Sequence, residues 1–205
     1  MTKAARARKI IVYILYVLIL SCFQVSFPDI LSFHGQIADL MFVFAVVSSY
    51  MFGFRDGYIV CIFLGIIRDY FSGPSIIGLD GNVTSTIGIG MLVIFLAGFW
   101  GSIFLTKRLN RSVLIVIGAV ESATLIYKVM GYVLIKLGTS ILYGKTYSLG
   151  FGDFLLNSVL PQLLLNLVVA VIIYFMLIFI GPYRRGSNPN LINEKGNDDT
   201  QWLTS

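Results

Sequence analysis

Histidine, cysteine and charge are scarce in this 205-residue chain, and each scarcity excludes a class of protein. There is one histidine, and the two cysteines, Cys22 and Cys61, lie inside apolar runs without a CxxC spacing. Neither a disulfide framework nor a metal site is therefore indicated. Charged residues make up 12% of the chain against 57% hydrophobic residues, and the mean hydropathy is +0.87. Such a composition is too apolar for a soluble domain and predicts a polytopic membrane protein.

Catalytic motifs are also missing. The sequence contains no HExxH and no GxxxxGK, and the single histidine, His34, lies in a predicted loop. We therefore expect a protein that is not an enzyme, with no catalytic, cofactor-binding or metal-binding residues and no cofactor. One enzymatic alternative stays open, in which two of the three acids Asp69, Asp80 and Glu121 form an intramembrane pair.

The apolar runs are continuous, and each is close to the about 20 residues that a membrane helix needs, so we predict an all-α integral membrane protein. The predicted spans are approximately 10–27, 38–54, 57–72, 80–104, 112–137 and 154–180. They form a single six-helix domain over residues 1–181. Residues 182–205 contain few apolar side chains and are predicted to be a disordered tail. If the first run were instead a cleaved signal peptide, five spans would remain.

The distribution of Lys and Arg predicts the orientation. With six spans, the basic amino terminus, the turn at Arg55, the loop 107–111 and Arg184 with Arg185 all lie on one side. Basic loops stay in the cytoplasm, so both termini are predicted to be cytoplasmic. The net charge of +5 thus reflects topology and indicates no nucleic-acid partner, because the basic residues cluster at the ends of the apolar runs.

The third predicted span carries small residues and one acid at every fourth position, so they share one stripe of the helix. An acid in the middle of a membrane span costs about 2.5–3.5 kcal/mol, so Asp69 should have a partner. Gly57, Cys61, Gly65, Asp69 and Gly73 form this stripe, and Gly78, Asn82 and Thr86 begin a similar one in the fourth span. We predict that the two helices pack together and that Asn82 and Thr86 hydrogen-bond to Asp69. Asp80 is predicted to cap the fourth helix. The groove so formed is predicted to hold a partner's helix.

Six further intramembrane residues stand out against their apolar neighbours. Glu121 and Lys128 lie on one face of the fifth span but about 10 Å apart, too far for direct pairing. Snorkelling toward the interface explains Lys128, whereas Glu121 has either a buried partner on another helix or a functional contact. The remaining four are Asp39, Asn157, Pro161 and Asn166. Pro161 predicts a kink, and the two amides are predicted to bond across helices.

The stretch from Gly65 to Gly78, GIIRDYFSGPSIIG, closely resembles, with one more residue before the last glycine, the GxxxDxxSGxxxG signature of the bacterial rod shape-determining protein MreD family. Ala38-Asp39-Leu40 resembles the Pro-Asp-Leu of that family, and Leu160-Pro161-Gln162 to Asn166 resembles its Pro and Asn pattern. Gly57 matches as well, whereas Cys61 replaces a usual glycine. The resemblance covers most of residues 36–100 and part of the last span.

The resemblance implies a non-enzymatic scaffold of the lateral cell-wall elongation machinery in the bacterial cytoplasmic (inner) membrane. Its implied partners are the membrane-anchored protein MreC, the RodA glycosyltransferase, an elongation transpeptidase and, indirectly, MreB filaments. It also implies a fold similar to the substrate-binding S components of energy-coupling factor vitamin transporters. The alternative function is therefore such an S component. It would need a wet outer pocket, for which Asp29, His34, Asp80, Asn82 and Asn157 are the candidates.

Overall fold

Helices dominate the computed structural model, which describes residues 3–26, 32–72, 75–77, 83–85, 89–106, 112–143 and 150–183. The helices are α1 (Lys3–Val25), α2 (Leu40–Phe52), α3 (Phe54–Ser72), α4 (Ile89–Thr106), α5 (Val113–Tyr143), α6 (Phe151–Phe154) and α7 (Leu160–Phe179). A π-helical turn, Leu155–Val159, joins α6 to α7. Between α3 and α4, β1 (Ser75–Ile77) and β2 (Val83–Ser85) pair as a short antiparallel hairpin.

The apolar character of the helices confirms the predicted membrane class. Three helical segments are long and apolar enough to cross a membrane: Lys3–Val25, Val113–Val133 and Phe151–Phe179. The segments Leu40–Phe52 and Gly90–Ile103 are equally apolar but shorter. With α3, these give six helical rods in the described part of the chain, one for each predicted span.

Helix α2 is the centre of the bundle. Its sequence, LMFVFAVVSSYMF, has no polar face, and every residue from Met41 to Phe52 is buried. It contacts α1, α3, α4, α5 and α7, which a helix that is hydrophobic all round requires. At 13 residues it is about 20 Å long, shorter than the hydrocarbon core of about 30 Å. The ends of α2 must therefore find polar partners inside the protein.

The start of the fourth helix differs from the prediction. Helix α4 begins at Ile89, and Val83–Ser85 form a strand, so the predicted helical start at residue 80 is wrong. The physical reason is local: glycines flank the β-branched residues of this stretch, and such sequences favour strands and turns over helix. Asp80 lies outside the described residues, and the N-cap position of α4 is not residue 80.

The last helix and the tail also refine the prediction. The irregularity expected at Pro161 takes the form of the π-helical turn that ends two residues earlier, a local change that accommodates the missing amide of proline. The predicted tail starts too early, because Pro182 is buried and the ring of Tyr183 lies 5.8 Å from that of Phe52. Residues 184–205 lie outside the described part.

Candidate functional site

Asp69 connects α3 to the first turn of α4. Its Oδ1 accepts a hydrogen bond from the amide of Gly90 at 2.7 Å, and its Oδ2 accepts one from the amide of Met91 at 3.2 Å. Only 3% of Asp69 is exposed. The first amides of a helix have no partner within the helix and carry partial positive charge, so a carboxylate is the group that satisfies them best. Asp69 thus caps a helix other than its own.

The predicted partners of Asp69, Asn82 and Thr86, lie outside the described residues, as do Gly73 and Gly78. Their hydrogen bonds to Asp69 therefore stay predictions, whereas the bonds from the backbone amides of Gly90 and Met91 were not predicted. Sequence reasoning missed these donors because it placed the start of α4 nine residues too early. Because α4 begins at Ile89, its first backbone amides lie beside Asp69, near the end of α3.

The small residues of α3 pack against the protein's own helices. A Cβ added to Gly57 would lie 2.8 Å from Ser49 Cβ on α2, and one added to Gly65 would lie 2.9 Å from Met91 Cβ on α4. A Cβ on Gly98 of α4 would lie 3.0 Å from Ser49 Oγ and would overlap the sulfur of Cys61. The predicted close packing of α3 and α4 is confirmed. The described part of the groove is therefore occupied by residues of α2 and α4.

Arg68, the neighbour of Asp69, secures the start of α2. Its Nη1 lies 2.8 Å from Asp39 Oδ2. Asp39 is the N-cap of α2, with Oδ1 accepting from the amide of Phe42 at 3.1 Å. Asp39 offsets both the positive end of the helix dipole and the guanidinium charge. Two consecutive residues of α3 therefore fix the first turns of two different helices.

The same end of α2 is held by side chains of α1, α5 and α7. Asn166 Oδ1 accepts from the amide of Asp39 at 3.0 Å, and Asn166 Nδ2 donates to Thr124 Oγ1 at 3.0 Å. Gln162 Nε2 donates to the carbonyl of Ile37 at 2.9 Å. Gln24 Oε1 accepts from the amide of Leu40 at 2.7 Å. The prediction that Asn166 bonds across helices is confirmed, whereas Asn157 is exposed.

These side chains surround a small polar cavity of about 220 Å³. Lys128 lines this cavity, and its Nζ donates to Gln36 Oε1 at 2.9 Å and to Ser158 Oγ at 3.4 Å. The cavity is lined by Gln24, Ile37, Asp39, Met41, Phe42, Arg68, Thr124, Tyr127, Lys128, Gln162 and Asn166. Its volume suits a few water molecules of about 30 Å³ each.

A second polar cluster lies at the opposite end of α2. Asp56, which is 3% exposed, forms an ion pair with Lys9 of α1 and accepts a hydrogen bond from the hydroxyl of Tyr183. Burial, and after it the hydrogen bond and charge of Asp56, raises the pKa of Tyr183. The environment therefore favours the protonated, donating form of the phenol. This cluster connects the beginning of α1, the first turn of α3 and the residues that follow α7.

Several of these residues were missed by the sequence analysis, and the signals for them were weak. Arg68 was not among the predicted site residues, although its place beside Asp69 in an apolar run indicates a buried ion pair. Gln162 lies four residues before Asn166, which was predicted to bond across helices, and therefore on the same helix face. Gln24 and Thr124 are polar residues with apolar neighbours in sequence, and only the folded arrangement shows what they contact.

The charged residues of the two clusters do not assemble into a metal site in the part of the chain that the structure describes. Comparisons with family models, with curated proteins and with solved structures find no match to this chain.

Proposed function

We propose that this chain is a non-enzymatic membrane scaffold of the bacterial cell-wall elongation machinery, of the rod shape-determining MreD type. The observation that carries the proposal is that the separate pieces of the resemblance meet in space. Asp39 of the first piece contacts Asn166 of the last and pairs with Arg68, which precedes Asp69 of the signature. Three residues that match the family, Asp39, Asp69 and Asn166, thus belong, with Arg68, to one junction between α2, α3, α4 and α7.

The junction supports a role in architecture. The described hydrogen bonds of these residues stay within the bundle. Asp69 and Asp39 accept from backbone amides, and Asn166 donates to Thr124. Groups used in this way fix the relative positions of helices. A rigid bundle of this kind suits a scaffold that binds an MreC-like protein and, through it, RodA, the elongation transpeptidase and MreB.

The vitamin-transporter alternative has less support. Pockets for small ligands are usually about 300–1,000 Å³, and the polar cavity at the start of α2 has about 220 Å³. Of the five residues predicted to line a ligand pocket, His34 and Asn157 are described, and neither lines this cavity. Asp29, Asp80 and Asn82 lie outside the described residues.

The proposed function is tested by purification of the tagged protein from native membranes under mild detergent. We expect mass spectrometry to find an MreC-like protein with one membrane span. Its recovery should be at least tenfold higher than in a control purification of a tagged polytopic membrane protein of unrelated function. Its absence, in detergent that preserves other membrane complexes, would contradict the proposal. Measuring the melting temperature with a panel of vitamins tests the alternative, because binding of its ligand would stabilise an S component against heat.

We further propose that the protein lies in the bacterial cytoplasmic membrane with both termini in the cytoplasm. His34 and Arg55 are exposed and precede and follow α2, respectively. In spheroplasts, a membrane-impermeant maleimide is expected to label His34→Cys directly and Arg55→Cys only after permeabilisation. Wild-type protein, with Cys22 and Cys61, is the control for background labelling. The opposite pattern at the two positions would reverse the proposed orientation.

A further inference from the structure

Glu121 is an acid within an apolar membrane helix, and the described residues around it leave one of its carboxyl oxygens without a hydrogen bond. It lies in the apolar segment Val113–Val133 and is half-buried. Its Oε1 is covered by the protein and has no hydrogen-bond partner among the described residues. Since buried polar atoms in folded proteins are nearly always paired, an orphaned carboxyl oxygen requires an explanation.

The polar side chains nearest to Glu121 along α5 are already engaged. Ser122 Oγ accepts from Trp100 Nε1 at 2.9 Å and donates to the carbonyl of Ala119 at 3.1 Å. Lys128 donates to Gln36 and Ser158. Glu121 lies eight residues after the first residue of α5, about 12 Å along the helix. At that depth, a missing partner costs more than it does in water.

The face of α5 around Glu121 is open to the membrane. Leu114, Gly118, Glu121 and Leu125 are spaced four, three and four residues apart and so share one helix face. Leu114 is 77% exposed and Leu125 43%, and a Cβ added at Gly118 would meet nothing within 4 Å. A glycine without neighbours leaves a depression beside the acid, where another helix can approach closely.

We propose that this face of α5 is the docking surface for a single membrane helix of a partner protein. On docking, the Glu121 side chain rotates out of its covered position, and its carboxylate pairs with a basic side chain of that helix. Complementarity to the carboxylate identifies the occupant. A second copy of this chain fits poorly, because a two-fold contact through this face would bring two Glu121 carboxylates together. The inference rests on the proposed function for the identity of the partner, but not for the chemistry of the contact.

The predicted signature of such a site is that stability and binding change in opposite directions. Glu121→Leu removes an unsatisfied acid, so the melting temperature of the isolated protein in detergent should rise by about 2 °C or more. Purification of the same variant from native membranes should recover at least tenfold less of the MreC-like partner than purification of the wild-type protein. Gly118→Leu should leave the melting temperature within about 1 °C and reduce recovery at least fivefold, because the new side chain fills the depression. Ile66→Leu, at an exposed position of α3, is the matched control for both readouts.

A designed probe separates this inference from the proposed function. A Leu/Ala peptide of about 20 residues with one central Arg is expected to associate in nanodiscs with wild-type protein at least fivefold more tightly than with Glu121→Leu. The same peptide without Arg should not distinguish the two proteins. Equal association of the Arg peptide with both proteins would overturn the inference, as would a lowered melting temperature with unchanged partner recovery. Failure to recover an MreC-like partner with wild type, while the Arg peptide still distinguishes the two, would overturn only the proposed function.

Discussion

Replacement of Asp69 by Leu is expected to lower the free energy of unfolding by about 2–4 kcal/mol, since each amide left without its acceptor costs about 1–3 kcal/mol when buried. Gly90 is buried, and Met91 is partly exposed, so the Gly90 amide accounts for the larger share. Leu and Asp branch at the same atom and have the same number of side-chain heavy atoms, so the loss reflects the missing acceptor and not a cavity. Reversible unfolding in a titration with sodium dodecyl sulfate measures the effect.

Asp69→Asn separates charge from hydrogen bonding. The amide keeps one acceptor oxygen, which can serve Gly90, but loses the charge that complements the positive end of α4. We expect about half of the loss seen with Leu. The control is Asp153→Asn, because Asp153 is an exposed carboxylate in the first turn of α6 and should change stability by less than about 0.5 kcal/mol. Equal stability of wild type and Asp69→Leu would refute the assigned role.

The helical class and the positions of most helices were predictable from the sequence because long apolar runs are the strongest signal that a chain carries. The fully buried state of α2 also follows from its lack of a polar face. The approach of α3 and α4 was predictable because glycines at every fourth position permit it. At these positions the local pattern and the final contact coincide.

The start of α4 was not predictable by the same reasoning. The stripe of small and polar residues beginning at Gly78 has helical spacing, yet Val83–Ser85 pair with Ser75–Ile77 in a hairpin. The preference of β-branched residues for strands, and of glycines for turns, outweighed the helical spacing. A helical period in a short segment therefore does not exclude a strand.

The polar junction was only partly predictable because its contacts join residues far apart in sequence. Asp39 and Asn166 are separated by 127 positions, and no local pattern specifies that they meet. The sequence does show that each needs a partner, since both are polar residues beside or within apolar helices. The identity of that partner depends on how α7 packs across the start of α2, which is a property of the whole bundle.

Gly65→Val is expected to have the second large effect, because it adds volume where α3 and α4 touch. Its Cβ would lie 2.9 Å from both Met91 Cβ and Met91 Cγ and still closer to the backbone of that residue, so the helices must separate. Overpacking against backbone costs about 3 kcal/mol. Separation would also lengthen the bonds from Asp69 to Gly90 and Met91.

Gly118→Val is the matched control, since it makes the same substitution in an apolar helix with no atom within 4 Å of the added Cβ. It should leave the free energy of unfolding unchanged or raise it by a few tenths of a kcal/mol, because glycine is the poorer helix former. Combined with Asp69→Leu, Gly65→Val should cost less than the sum of the single changes, as both disturb the same contact between α3 and α4. Strictly additive losses would mean that the glycine contact and the carboxylate cap act independently, contrary to a single junction at the start of α4.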